Sequence, residues 1–232
     1  MNKILFLFLI LVFAGAVNAD GGIISFSKVY LDTAGKLSFT YPTALPNPKA
    51  LPEMQKNFIK QKFGEKISVQ DPFEALKLYG SQYEELEYLS DAVSFPMPGI
   101  VQFVTSYYVL HEGVAHGVSG FDVGIYKISD GKKIDISSLF NRNWQKNITS
   151  LIIKEFLSSQ NLISLADYAY TQKESDFIPV SVKISEDGGL DFVYPAYKIA
   201  PYAAGDQTVF LSWEVLKPYL NRKSVIYQRL QF

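Results

Sequence analysis

The sequence predicts an α+β fold, with antiparallel sheets built from hairpins and helices packed on one side. Three observations lead there. Runs rich in Val, Ile, Tyr and Phe come in pairs around short turn sequences, of which Thr33-Ala34-Gly35 and Glu186-Asp187-Gly188-Gly189 are the plainest. Stretches with helical apolar spacing fall between those pairs, where a doubly wound parallel sheet would alternate helices with single strands. Repeats, low-complexity tracts and flexible linkers are missing from the 232 residues.

Residues 1–19 read as a secretory signal. Lys3 supplies the positive start, residues 4–13 form an unbroken apolar core, and Val17-Asn18-Ala19 sets up a cut between Ala19 and Asp20. That apolar run falls short of the roughly 20 residues a bilayer span needs. The expectation is an exported, soluble chain, periplasmic or secreted, with no membrane insertion after signal cleavage.

Residues 23–32 and 36–41 read as two strands of a hairpin, interrupted by the proline-rich piece 42–52. Met54, Phe58, Ile59 and Phe63 then recur at near-helical spacing, closed by Gly64. Asp71-Pro72-Phe73-Glu74 is a helix start: Asp71 caps, Pro72 has the φ of a first helical residue, and Glu74 can return a bond to the cap. Phe73, Leu76, Tyr79, Tyr83 and Leu86 continue one apolar face to about Tyr88, which puts Glu84, Glu85 and Glu87 on the solvated side of a helix. Pro96-Met97-Pro98-Gly99 breaks the chain. Residues 100–110 and 120–128 are two long β-type runs joined by a glycine-rich turn, and Ser129-Asp130-Gly131 reverses direction ahead of 132–136. Ile148, Leu151, Ile152 and Phe156 set the period of a helix over 144–159. Residues 178–184 and 190–193 form the second hairpin, 208–211 return as a strand, 213–220 read as a short helix and 224–230 as an edge strand. The domain reading is a signal peptide over 1–19, an N-terminal companion region over 20–98 and a C-terminal region over 99–232. The latter two form one compact body.

Composition removes several function classes. With 22 basic and 23 acidic residues the net charge is −1, and no basic stripe stands out. Nucleic-acid binding, which draws its affinity from phosphate neutralisation, is therefore not expected. The absence of cysteine excludes disulfides, thiol catalysis and thiolate metal sites together. Aromatics reach 15%, with 15 Tyr, and a tyrosine excess suits a binding surface because the ring buries area while the hydroxyl stays wet.

The order of features from Gly99 to Leu220 resembles the C-terminal extracytoplasmic domain of the RsiV anti-sigma factor and the PdaC deacetylase. Three pieces carry the resemblance: Gly113-Val114-Ala115-His116-Gly117 after a tyrosine-rich strand; Asp130-Gly131-Lys132-Lys133-Ile134 followed by Leu139-Phe140; and Tyr197-Lys198-Ile199-Ala200-Pro201-Tyr202-Ala203-Ala204-Gly205, the most specific. Residues 37–42 with the helix after them look like the companion region that often precedes that domain. The resemblance implies an exported sensing or binding domain of the cell envelope whose partner is a lysozyme-like protein or a peptidoglycan fragment. It carries over neither transmembrane signalling nor deacetylation, because the sigma-binding segment and the deacetylase domain have no counterpart in this sequence.

His111-Glu112-Gly113-Val114-Ala115-His116 holds both histidines of the chain. They stand five apart around a glycine, whereas the zinc-protease pattern needs four on a helix. The expectation is no metal and no cofactor, with His116 bonded to backbone in its turn. Glycines 113, 117 and 120 lack the spacing of a phosphate loop and read as residues that supply positive φ at a tight reversal. No Gly-x-Ser-x-Gly elbow occurs, and nothing nominates a carboxylate pair. Catalytic residues are accordingly assigned to none. The binding candidates are Tyr197, Tyr202, His116 and His111. Besides the binding protein, two other functions stay open: a hydrolase of cell-wall polymers using His116 with a nearby carboxylate, and a structural envelope protein.

Overall fold

All strand pairing is antiparallel, as hairpins dictate, and the architecture is α+β. The structure, a computed structural model, describes residues 12–19, 22–30, 38–64, 71–80, 85–110, 113–179 and 181–230. The chain divides into two units, Met1–Lys133 and Ile134–Phe232. The turn Thr33-Ala34-Gly35, His111, Glu84 and most of the expected signal lie outside the described residues.

The first unit holds two three-stranded sheets. Strands β1 (Val12–Ala19), β2 (Gly22–Tyr30) and β3 (Ser38–Ala44) form one, with β2 in the middle. The tail of the expected leader thus pairs with β2, and β3 runs through Pro42 instead of stopping at it. Helix α1 (Leu51–Phe63) follows, with Pro52 in its first turn and Gly64 at its end. Its buried Met54, Phe58, Ile59 and Phe63 are the residues whose spacing predicts it. Helix α2 (Pro72–Gly80) starts on Asp71, whose carboxylate accepts from the amides of Phe73 (3.0 Å) and Glu74 (2.9 Å).

Past Gly80 the expected helix does not continue. Residues 85–97 form strand β4 (Glu85–Met97), paired with β5 (Ile100–Leu110) through Glu87↔Tyr108 and Val93↔Phe103. Glu85 and Glu87 therefore sit on a strand and not on a helix face. Leu86 and Tyr88 fit a period of two as well as a helix, and pairing along β5 decides between them. Pro98-Gly99 is the tip of this hairpin. Strand β6 (Val118–Lys127) completes the sheet in the order β4-β5-β6. Phe58 of α1 joins both sheets: its ring lies 5.8 Å from Phe39 of β3, 4.9 Å from Phe103 of β5 and 6.4 Å from Tyr126 of β6. Burying such a ring contributes about 1.5–3 kcal/mol. The turn after β6 packs under α1, where Gly131 (φ +71°) leaves no room for a side chain. Residues 132–136 add only a bridge between Lys133 and Tyr126.

The second unit begins with α3 (Ile136–Leu139) and α4 (Trp144–Ser159), the latter with the predicted bounds. Helix α4 buries Ile148, Ile152 and Phe156 and packs on strand β9. A three-stranded sheet follows, ordered β7 (Ser181–Ser185), β8 (Gly189–Tyr194) and β9 (Gln207–Ser212). Strand β8 is central and buries Leu190, Phe192, Val193 and Tyr194, with Phe192 6.5 Å from Phe140. The short helices α5 (Trp213–Leu216) and α6 (Val225–Arg229) close the unit. Helix α6 replaces the edge strand expected over 224–230. The Ser224 hydroxyl caps it, accepting from the Tyr227 amide at 3.2 Å, while Ile226 is buried.

Candidate functional site

The connection from β8 to β9 is the segment that the sequence singles out, and it is organised by its own backbone. The amides of Tyr197 and Lys198 donate to the carbonyls of Ala200 and Pro195, both at 3.0 Å, and those of Ala204 and Gly205 close a single 3-10 turn at 2.9 Å. Asp206 ties the two stems together by accepting from the Ala196 amide at 3.0 Å. Ile199 and Ala200 are buried and anchor the connection. Tyr197 is left 51% exposed, its ring stacked on Tyr202 with centroids 5.4 Å apart and planes 24° from parallel.

Tyr197 has a φ of +70°, a left-handed conformation that costs a bulky residue about 1–2 kcal/mol. The clamp that holds it comes from a distant segment. After α4 the chain runs through two 3-10 turns, Leu165–Asp167 and Glu174–Phe177, and between them stand Tyr168 and Tyr170. The Tyr170 hydroxyl donates to the Tyr197 carbonyl at 2.8 Å and the Tyr168 hydroxyl to the Ile199 carbonyl at 2.7 Å. Burial, with Tyr170 nearby as the lesser cause, pushes the Tyr168 phenol above its ordinary value, so it stays a donor at neutral pH. Beneath them, the buried Tyr194 hydroxyl donates to the Phe177 carbonyl at 2.6 Å, which fixes the second 3-10 turn to β8.

The two segments enclose an open recess of about 820 Å³, lined by Tyr170, Thr171, Gln172, Lys173, Asp176, Tyr197 and Lys198 with Ala169. Thr171 donates its hydroxyl to Asp176 at 2.5 Å, and Gln172 is turned to the Ala166 carbonyl at 3.2 Å. Asp176 is the one carboxylate in this lining, so a two-carboxylate glycosidase mechanism finds half its machinery here. What the recess offers is flat aromatic surface beside neutral hydrogen-bonding groups and two ammonium groups.

His116 belongs to the first unit, in the turn between β5 and β6, while Tyr197 and Tyr202 belong to the second. It is exposed, and its Nδ1 lies 3.3 Å from the Gly117 carbonyl oxygen. Gly117 does not take the positive φ expected of it. Its amide donates to the Tyr108 hydroxyl at 3.2 Å, and a Cβ there would overlap the Tyr108 ring. Of the three glycines of that turn, only Gly113 (φ +78°) is recorded in the left-handed region. Among the described residues no group of three or more His, Cys, Asp or Glu is placed to hold a metal ion.

Tyr168, Tyr170, Thr171, Lys173 and Asp176 are functional candidates that the motif reading misses. The available signal is the polar, period-free stretch after α4 carrying Tyr168-Ala169-Tyr170, two tyrosines in a segment too irregular for a core.

An α+β unit with a clamped aromatic loop over an open recess defines the class of protein. Residues 137–214 match the family model described as a protein of unknown function, DUF3298. That span contains Leu139-Phe140, the recess and the whole Tyr197–Tyr202 loop, and leaves out His116. The fold is similar to that of a DUF3298-family member from Bacteroides fragilis NCTC 9343, at 16% identity over 96% of this chain and 98% of that one, with a TM-score of 0.70. It is also similar to a DUF3298-family protein from Pseudomonas aeruginosa PAO1, at 17% identity over 79% of this chain and 84% of that one, with a TM-score of 0.57. No curated protein matches the sequence. Among the described residues no helix is long and apolar enough to cross a membrane.

Proposed function

We propose that this is an exported binding protein of the cell envelope, of the RsiV-like type, which receives a cell-wall glycan fragment in the recess beside Tyr197. The observation that carries the reading is the pairing of a half-exposed, stacked tyrosine with an open recess of about 820 Å³. Recesses that hold small ligands run to about 300–1,000 Å³ and combine apolar walls with a few placed polar groups. A lysozyme-like partner needs instead about 800 Å² of contact on each protein. That partner is the second reading, and it rests on the resemblance at residues 197–205. Both readings use a preformed surface. The loop is already bonded, so little ordering opposes association.

The test is co-sedimentation of the exported chain with purified cell-wall sacculi, with calorimetry against soluble glycan fragments. Binding to both is expected, and Tyr197→Ala should weaken it at least tenfold, the size of a central aromatic contact. Failure to bind sacculi and fragments, or wild-type binding by Tyr197→Ala, removes the glycan reading. Complex formation with a lysozyme in the same series transfers the function to the protein-binding reading.

A further inference from the structure

We propose that the recess selects an acidic saccharide, whose carboxylate is received by Lys173 and Lys198 while a sugar ring lies on the exposed face of Tyr197. This rests on the glycan reading above and adds the chemistry of the ligand. The lining sets two ammonium groups against one carboxylate, and that carboxylate, Asp176, already accepts a hydrogen bond from Thr171. Among the described residues neither lysine has a carboxylate within ion-pair distance; the described pairs are Lys56–Glu53, Lys127–Asp130 and Lys183–Asp191. The lining therefore carries a formal charge of +1 in a chain whose net charge is −1. An anionic group entering beside the lysines gains attraction from both against repulsion from the one Asp176 carboxylate.

The shape of the walls favours a sugar over an acidic peptide. Peptides taken up in extended form add to an open sheet edge and drop alternate side chains into pockets. This recess is walled by loops and a 3-10 turn, with no strand among its lining residues. Tyrosine faces offer a flat apolar surface with a wet rim, which suits a pyranose ring edged by hydroxyls. Thr171 and Gln172 provide further polar partners at that rim.

The experiment titrates the full exported chain with two ligands: a disaccharide of N-acetylglucosamine and N-acetylmuramic acid, and the same disaccharide with its carboxylate reduced to an alcohol. The acid should bind about fivefold more tightly at low ionic strength, the gain expected from one partly exposed ion pair. The gap should close in about 0.5 M salt, where the screening length is only a few ångströms. Lys173→Gln with Lys198→Gln should bind both forms alike, at the affinity of the reduced ligand. Equal binding of the two forms by the wild-type chain overturns this inference and leaves the glycan reading standing. Binding of neither form, with sacculi also ignored, overturns the glycan reading itself. An acidic peptide of equal charge that binds more tightly than the disaccharide also overturns the inference.

Discussion

Gly131 tests whether the packing of the first unit follows the geometry described. Two separate costs meet there in a change to alanine. The first is conformational, because a φ of +71° puts an L side chain in the left-handed region, at about 1 kcal/mol. The second is steric: the new Cβ overlaps the Ala50 carbonyl oxygen and stands 2.6 Å from the Met54 amide nitrogen, both main-chain atoms at the start of α1. Backbone cannot rotate away as a side chain does, and overpacking of this kind costs about 1–3 kcal/mol. Gly131→Ala should therefore lose about 2–4 kcal/mol. Gly113→Ala is the control. Its φ of +78° carries the same conformational cost, but nothing lies within 4 Å of the added Cβ, so it should lose only about 1 kcal/mol. Both tryptophans, Trp144 and Trp213, lie in the second unit, so their emission does not report on this region. Hydrogen exchange of the α1 amides, read alongside urea unfolding by circular dichroism, does. Equal losses in the two variants would refute the steric argument, since the dihedral term alone would then account for both.

Two other outcomes follow from buried and titrating groups. Thr149 buries its hydroxyl on α4 without a hydrogen-bond partner among the described residues, so Thr149→Val should raise stability by about 1 kcal/mol, seen as a higher urea midpoint in tryptophan emission. A lower midpoint would mean that the hydroxyl is satisfied. Partial burial pushes the Asp130 carboxyl up, but its bonds from Lys127 (2.5 Å) and the Lys132 amide (3.1 Å) outweigh that and hold it below the usual value. A depressed carboxyl stabilises the fold above its unfolded pKa of about 3.9, and the contribution is lost as pH falls through the lower folded value. Because the pair is about a third exposed, Asp130→Asn should cost under about 1 kcal/mol at pH 7. That difference should shrink towards zero in unfolding curves taken near pH 2.

Much of the fold was legible because several segments satisfy one pattern only. The helix at 144–159 has a long apolar period and no glycine or proline, so its bounds could be read directly. The hairpins likewise announce themselves by short turns between β-branched runs. Where two patterns overlapped, local reading chose wrongly. Leu86 and Tyr88 extend the α2 stripe on paper, yet a neighbouring strand with unmet hydrogen bonds captures them. Val225 and Ile226 look like a strand until Ser224 caps a turn of helix ahead of them. The site divides along the same line. Tyr197 and Tyr202 are visible in the sequence because prolines and small residues surround them. Tyr168, Tyr170 and Asp176 are not, since only tertiary folding brings residues 168–176 up against 195–206.

The hydroxyls of Tyr168 and Tyr170 grip the loop by carbonyl oxygens, which every amino acid possesses. Those two bonds do not depend on which side chains the loop displays, while the buried Ile199 and Ala200 anchor it from below. Lys198 can be exchanged without breaking either bond, so part of the recess face is replaceable on a fixed chassis. New ligand preferences can be written on it by swapping side chains, leaving α4 and the sheet untouched.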